Sequence, residues 1–566
     1  MADFAREQYG DAPFLLRWTP SGWQGYSFAQ AARAMHAFAA LLERAGVAPG
    51  DRVGLQSENR PEWGLAYLAI LAAGAVVVPL DTLLREHEVG ELLATCSATH
   101  CVVSGRQLEV VQRARDARVP GLRLVSLDPV AGLPSWDEAA ALAPEDGARV
   151  PRRPAPPQPQ DLAVLLFTSG TTGQAKGVML SHANLLTNVE AVARTFEFGP
   201  RDRLLSVLPL HHTFESTGGF LCPLRVGASV AYARGLKSNE LREDLRSSGA
   251  TIMLGVPLLY EKLLNAIHRG IADAPLARRL AARTLLGLAR LLRWTTGVRL
   301  GRPLLRALRE RAGLAGLRMF VSGAAALPPE VFWGFIDLGW PVLEGYGLTE
   351  CAPVVAANRP EHPLPGAVGW PLPGIEVRID HPEPDGNGEI LVRGPNVMLG
   401  YFANPGATAE VLSEGWFRTG DLGRWTRDGR VKITGRLKNM IATAAGKKIY
   451  PEEVEVHLAN CPYILEVVVT GGRDARGERE EVHAHVFPDL KSLEALARAS
   501  GSGCDDAFVE TTLRREVEAR CQLLAPYKRV KRVIVRRQEF PKTTTGKIRR
   551  LGLAAETADK RVGAVA

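Results

Sequence analysis

The sequence predicts a large, multi-layer α/β domain followed by a small α+β unit, and three observations carry that reading. Short apolar strands alternate with helical stretches through most of the chain: "AVLLF" at 163–167, "LRMFVSG" at 317–323 and "PVLEGYG" at 341–347. After about Arg436 the texture changes to short strands at 464–471 and 481–488, a charged helix near 511–524 and a basic strand at 530–537. Finally, 566 residues of which 46% are hydrophobic bring more apolar surface than a single core accommodates.

The longest apolar run, Gly64 to Leu80, stops at Pro79 and Asp81 and is shorter than the ~20 residues a membrane span needs. It reads as a buried helix ended by Gly74, then a buried strand favoured by Val76, Val77 and Val78. The proline-rich "PRRPAPPQPQ" at 151–160 supports neither helix nor central strand and reads as a connector. Seven cysteines, scattered without metal-type spacing, read as reduced thiols. Asp3 and Glu7 precede any apolar stretch, the wrong order for a secretory signal, so the expected location is cytoplasmic.

The formal net charge of +8 is concentrated in one place. Between Lys528 and Arg550 stand ten basic residues and one acid, and the remainder of the chain is close to neutral. That favours one anion-handling segment over a broad nucleic-acid surface, so no nucleic-acid partner is expected. A second basic stretch, Arg269–Arg311, has eleven arginines against two acids and leucines at helical spacing. Its commoner reading is a core-facing helix with a solvated basic face. The alternative is peripheral contact with the inner face of an anionic membrane.

"FTSGTTGQAKG" at 167–177 follows the strand "AVLLF" directly. Gly170 and Gly173 let backbone approach an anion, Thr168, Ser169, Thr171 and Thr172 donate hydrogen bonds, and Lys176 supplies charge. The loop is a phosphate-cradle candidate but not a Walker motif, because Lys176 is followed by Gly177.

Further motifs follow in order: "LAILAAGAVVVPL" (68–80) lies upstream, and "LPLHHTFE" (208–215), "VSGAAAL" (321–327), "EGYGLTE" (344–350), "GWFRTGDLG" (415–423), "GRLKNMI" (435–441), "AAGKKIYPEEVE" (444–455) and "PKTTTGKIRR" (541–550) downstream. Together they resemble the adenylate-forming acyl-CoA synthetases and ligases, the superfamily that also contains firefly luciferase and nonribosomal peptide adenylation domains. The resemblance spans nearly the whole chain, and so many motifs in family order do not arise by chance.

The resemblance implies an N-terminal AMP-binding and acyl-binding domain at 1–437 and a mobile C-terminal lid at 438–566. It implies ATP-dependent activation of a carboxylic acid to acyl-AMP, then transfer to CoA with release of AMP. ATP, Mg²⁺ and CoA are the implied cofactors and co-substrates. In its nucleotide site Tyr346 and Gly347 lie against adenine, Thr349 near the α-phosphate and Glu350 on Mg²⁺, with Gly323 and Ala324 in the neighbouring nucleotide-binding segment. Asp421 takes the ribose hydroxyls and Arg436 supports them. Lys547 bridges the substrate carboxylate and the α-phosphate, which accounts for the basic segment; Lys542 and Arg549 are solvated supports. Lys438 is the hinge position, and Gly446 lines the channel for the CoA thiol. Asn439 departs from the acidic residue common there, an exchange associated with long-chain members.

"LPLHHTFE" corresponds to the acyl-pocket segment, with His212 as the family histidine and Phe214 as wall. Neighbouring His211 and His212 would point apart in extended backbone and make poor joint metal ligands. The segment lacks the aspartate with which amino-acid-activating relatives pair an ammonium group, so a substrate without one is expected, with Glu215 the one nearby carboxylate; "HHTFE" (211–215), "TECAPV" (349–354) and "GKKIYPEE" (446–453) resemble the fatty-acid branch, which implies a medium- or long-chain fatty acid. A carrier protein replacing CoA as acceptor, a ligase stopping at acyl-AMP, and a non-catalytic acyl- or nucleotide-binding protein are the alternatives.

Overall fold

The computed structural model describes residues 1–141, 157–168, 175–297, 299, 301–362, 364–442, 448–459, 461–473, 480–542, 548 and 550. The chain divides into two compact units, 1–376 with 392–417, and 377–391 with 418–566. The boundary expected between 437 and 438 does not coincide with this division. The hairpin formed by Trp416–Trp425 and Val431–Arg436 joins the sheet of Glu376–Asp380 and Gly388–Arg393, so residues 418–437 group with the second unit.

The first unit holds two large sheets. One runs, edge to edge, through Trp370–Pro371, Val354–Ala357, Val342–Gly347, Met319–Ser322, Ile252–Gly255, Arg203–Ser206, Ser229–Tyr232, Pro13–Thr19 and Gly22–Ser27. The other runs through Gly400–Tyr401, Lys176–Ser181, Leu162–Thr168, Val76–Pro79, Arg52–Gln56, His100–Val103 and Arg123–Ser126. Helix Pro61–Ala72 leads through Gly74, at φ 69°, into the fully buried strand Val76–Pro79, as the apolar run predicts.

The parallel pairing at the centre of the first sheet positions the site. Arg203–Ser206, Ile252–Gly255, Met319–Ser322 and Val342–Gly347 all run the same way. Their carboxyl ends therefore deliver "LPLHH", "VSGAAAL" and "GLTE" to one edge of one sheet, where open α/β sheets bind ligands. Beneath them Phe320, Phe332, Phe335 and Trp340 pack in one aromatic cluster.

In the second unit, strands Ile464–Arg473, Glu480–Pro488 and Arg532–Val535 form a sheet covered by helices Pro451–Ala459, Leu490–Ala499 and Asp506–Cys521. This is the small α+β unit expected, with the additional helix 490–499 and with the charged helix beginning earlier than its composition suggests. Residues 151–156 of the predicted connector lie outside the described residues.

The basic stretch 269–311 bears out its commoner reading in part: Ala282, Leu285 and Leu286 pack against the core, while other leucines of the same helix are exposed. It forms helix Leu276–Thr296 and the short helices Gly301–Leu304 and Arg306–Arg311. Only Ala289 of the long helix is buried. Two of its arginines turn inward: Arg290 Nε and Arg293 Nε donate to the buried Asp337 at 3.0 and 2.6 Å, and Arg293 stacks on Trp333. These contacts tie the helix to a carboxylate far along the chain. Among the described residues no helix is long and apolar enough to cross a membrane.

Candidate active site

Strand Leu162–Thr168 pairs antiparallel with Lys176–Ser181, placing Lys176 directly opposite Thr168. The Gly/Thr-rich segment is therefore the connection of a hairpin. Ser169, Gly170, Thr171, Thr172 and Gly173 lie outside the described residues, as do Gly446 and Lys547.

In the first unit the structure gathers Lys176, Glu350 and Tyr401, a residue the sequence does not single out. The Lys176 ammonium sits 4.8 Å from the centre of the Tyr401 ring. Tyr401 donates its hydroxyl to Glu350 Oε1 at 3.0 Å, and burial together with that carboxylate holds the phenol protonated. Thr349 and Glu350 occupy a single 3-10 turn at the end of strand Val342–Gly347. The turn is pinned from outside: Met398 N donates to the Glu350 carbonyl, and Asn188 holds both the N–H and the C=O of Val354. Glu350 presents a hard oxygen beside a cation, the donor type that Mg²⁺ takes when phosphates supply most of its remaining ligands.

Gly347 has a backbone reason to be glycine. Its strand shifts register against Val354–Ala357, and a Cβ there would stand 2.0 Å from the Pro353 carbonyl oxygen. Tyr346, half-buried, pairs with Ala356 across the same ladder. Ala324 adopts φ 74°, a left-handed conformation uncommon for a residue with a Cβ and concentrated at functional turns.

The acyl-pocket segment differs from its extended reading. His211 and His212 lie in a turn with ring centroids 4.3 Å apart, so the side chains adjoin and do not point apart. His211 Nε2 is 3.5 Å from Asp81, without hydrogen-bond geometry, and burial pushes its pKa down to about 4; the imidazole is neutral. The half-buried His212 offers its backbone carbonyl to Glu215 N and Ser216 N. Residues Phe214–Leu221 then form a π-helix, a geometry frequent at functional sites. Phe214 lies over Gly323, where a Cβ would approach its ring to 2.9 Å, so the two predicted segments adjoin.

Glu215 is fully buried on this π-helix and hydrogen-bonded to Ser206, and burial pushes its pKa up to about 8. Its Oε2, the Thr217 hydroxyl and the Tyr232 hydroxyl are buried without hydrogen-bond partners among the described residues. Burial thus favours the protonated form of Glu215. Asn59, another residue the sequence leaves unmarked, ties the segment down. It donates to the Leu208 carbonyl at 2.6 Å and accepts from Leu210 N at 3.0 Å, linking the two sheets.

In the second unit Asp421 and Arg436 face each other across an antiparallel pair. Arg436 Nε donates to Asp421 Oδ1 at 2.7 Å, holding a buried carboxylate in place as an acceptor. Lys438 follows in the 3-10 turn Leu437–Asn439, where burial and then Arg436 lower its pKa. Asn439 donates to Glu452 at 2.6 Å. Lys542, expected to be solvated, is ion-paired with Glu466 and Glu539.

Residues 2–402 match the family model described as AMP-binding enzyme. The chain is 32% identical to Long chain acyl-CoA synthetase 6, peroxisomal, from Arabidopsis thaliana, over 88% of this chain and 73% of that protein. It is also 32% identical to Long-chain-fatty-acid–CoA ligase FadD15 from Mycobacterium bovis, over 88% and 83% of the two chains. Among solved structures, ATP-bound MatB from Rhodopseudomonas palustris superposes with a TM-score of 0.77 at 28% identity, covering 99% of each chain. With its sheets, its Lys176–Tyr401–Glu350 cluster and its cross-strand Asp421–Arg436 pair in place, the chain belongs to the AMP-binding enzyme family, among the AMP-forming acyl-CoA ligases.

Proposed function

We propose that the protein activates a medium- or long-chain fatty acid with ATP, forming acyl-AMP and pyrophosphate, and then transfers the acyl group to CoA with release of AMP. The observation that carries this reading is the juxtaposition of a charged cluster, Lys176 with Glu350 and Tyr401, and an apolar wall at Phe214 and Gly323, around the carboxyl ends of one set of parallel strands. The names of the relatives, long-chain acyl-CoA synthetases and ligases, support the chain-length class.

In the first half-reaction a carboxylate oxygen attacks the α-phosphorus and pyrophosphate leaves. In the second, the thiolate of CoA attacks the acyl carbon and AMP leaves, so no covalent bond to the enzyme is needed. Lys176 offers positive charge to the phosphates, and Thr349 a hydroxyl near the α-phosphate. Glu350 would hold Mg²⁺, which when bound neutralises phosphate charge. Asp421, oriented by Arg436, accepts from the ribose hydroxyls, and Tyr346 packs on adenine. Lys547 bridges the two reacting anions, a contact stronger in the transition state than before it. Gly446 leaves room for the CoA thiol. Because Lys547 and Gly446 serve different halves, the segment from Lys438 onward turns between two presentations.

The acid-specificity test measures AMP release with butyrate, octanoate and palmitate, with and without CoA. The expected result is CoA-dependent turnover with kcat/KM rising about tenfold or more from butyrate to octanoate; release that ignores chain length contradicts the proposed substrate. Lys547→Ala should lower acid-dependent pyrophosphate exchange by ~10²-fold or more, while converting supplied acyl-AMP to thioester near the wild-type rate. Equal loss of both steps would remove the lysine's assigned role.

The buried acid gives a third expectation. With its folded pKa raised to about 8 above an ordinary carboxylic value, Glu215 contributes stability at low pH that is lost as pH rises towards 8. Glu215→Gln keeps the shape without the titration. Its melting temperature relative to wild type should therefore climb by a few degrees between pH 5 and pH 8, and a difference that stays constant over that range shows Glu215 to be charged throughout.

A further inference from the structure

Helix Leu276–Thr296 carries an outward apolar stripe that nothing among the described residues covers. Leu276, Leu280, Leu291 and Trp294 are 61%, 54%, 54% and 82% exposed. At 100° per residue these four side chains fall within about 60° of the helix circumference. Scattered single leucines on a surface need no explanation, but an aligned row ending in an almost fully exposed tryptophan does. The helix cannot simply be rotated to bury it, because its other side already packs Ala282, Leu285 and Leu286 on the core, and Arg290 and Arg293 are fixed to the buried Asp337.

Charge identifies what would cover the stripe. The helix contains five arginines and no acid. Arg279 and Arg283 lie beside the apolar row, within about 60° of it, and neither they nor Arg278 has an ion-pair partner among the described residues. A row of leucines and a tryptophan flanked on one side by unpaired guanidinium groups matches the boundary of an anionic bilayer. There, acyl chains take the apolar side chains, tryptophan sits at headgroup depth and arginines meet phosphate. A second copy of this chain is a poorer occupant, since two such helices would bring like charges together.

We infer that this helix is a membrane-surface element: the face formed by Leu276, Leu280, Leu291 and Trp294 lies in the headgroup boundary of an anionic lipid bilayer, with Arg279 and Arg283 on lipid phosphates. The inference stands on the surface alone and does not depend on the proposed reaction, although a long-chain acid dissolves in the same layer.

The test is co-sedimentation of the full-length protein with vesicles of phosphatidylcholine alone or mixed with phosphatidylglycerol, at low and at high salt. The expected result is binding to the mixed vesicles, weaker with phosphatidylcholine alone and weaker in high salt. The double variant Leu291→Asp, Trp294→Asp should bind at least about tenfold more weakly, while its melting temperature and its turnover of octanoate stay at wild-type values. Arg279→Ser with Arg283→Ser should reduce the salt-sensitive part of the binding. Absence of binding to the mixed vesicles, or binding that both double variants retain, overturns the inference. So does a concentration-dependent dimer in vesicle-free solution that Leu291→Asp, Trp294→Asp abolishes, because the stripe would then be a protein interface.

Discussion

A carboxylate and a triphosphate repel each other, by about 4 kcal/mol for each unit-charge pair at 4 Å and an effective dielectric near 20. An enzyme that joins them must surround their meeting point with positive charge and hold it there before the reactants arrive. The fold meets part of this constraint with backbone alone. Parallel strands ending at Ser206, Gly255, Ser322 and Gly347 bring their following loops to one sheet edge. The hairpin ending in Lys176 belongs to the other sheet, and Tyr401, on the strand paired with Lys176–Ser181, lies under the lysine and donates to Glu350. Cation, aromatic ring and carboxylate therefore constrain one another, and none can move far without breaking a contact that another element depends on.

The acyl side of the site is built on the opposite electrostatic choice. Where the nucleotide side concentrates charge, the π-helix Phe214–Leu221 buries an acid with no cation near enough to ionise it. A neutral Glu215 and a neutral His211 leave the wall without formal charge.

The parts of this design that depend on local chemistry were legible in the sequence. Gly74 between an apolar helix and a run of valines marks its own break, and the strand before the glycines and threonines marks where Leu162–Thr168 ends. What was hidden depends on partners distant along the chain. Asn59 reads as an unremarkable loop residue until its side chain is found holding both Leu208 and Leu210. Tyr401 lies 51 positions from Glu350, whose carboxylate it hydrogen-bonds. Leucine spacing in 276–296 specifies an amphipathic helix, and Ala282, Leu285 and Leu286 do turn to the core; that Arg290 and Arg293 reach the buried Asp337 could not be read from that spacing. The adjacent histidines were misjudged because a turn replaces the extended backbone assumed for them.

The central claim is that carboxylate oxygen becomes bonded to the α-phosphorus, and isotope transfer tests it most directly. With a fatty acid labelled with ¹⁸O in both carboxylate oxygens, a full turnover in the presence of ATP and CoA should yield AMP carrying one labelled oxygen on phosphorus, and a thioester retaining the other. AMP without label, or label appearing in inorganic phosphate, would mean that the acid is activated by another route, and the roles given to Lys176, Glu350 and Lys547 would fall with it.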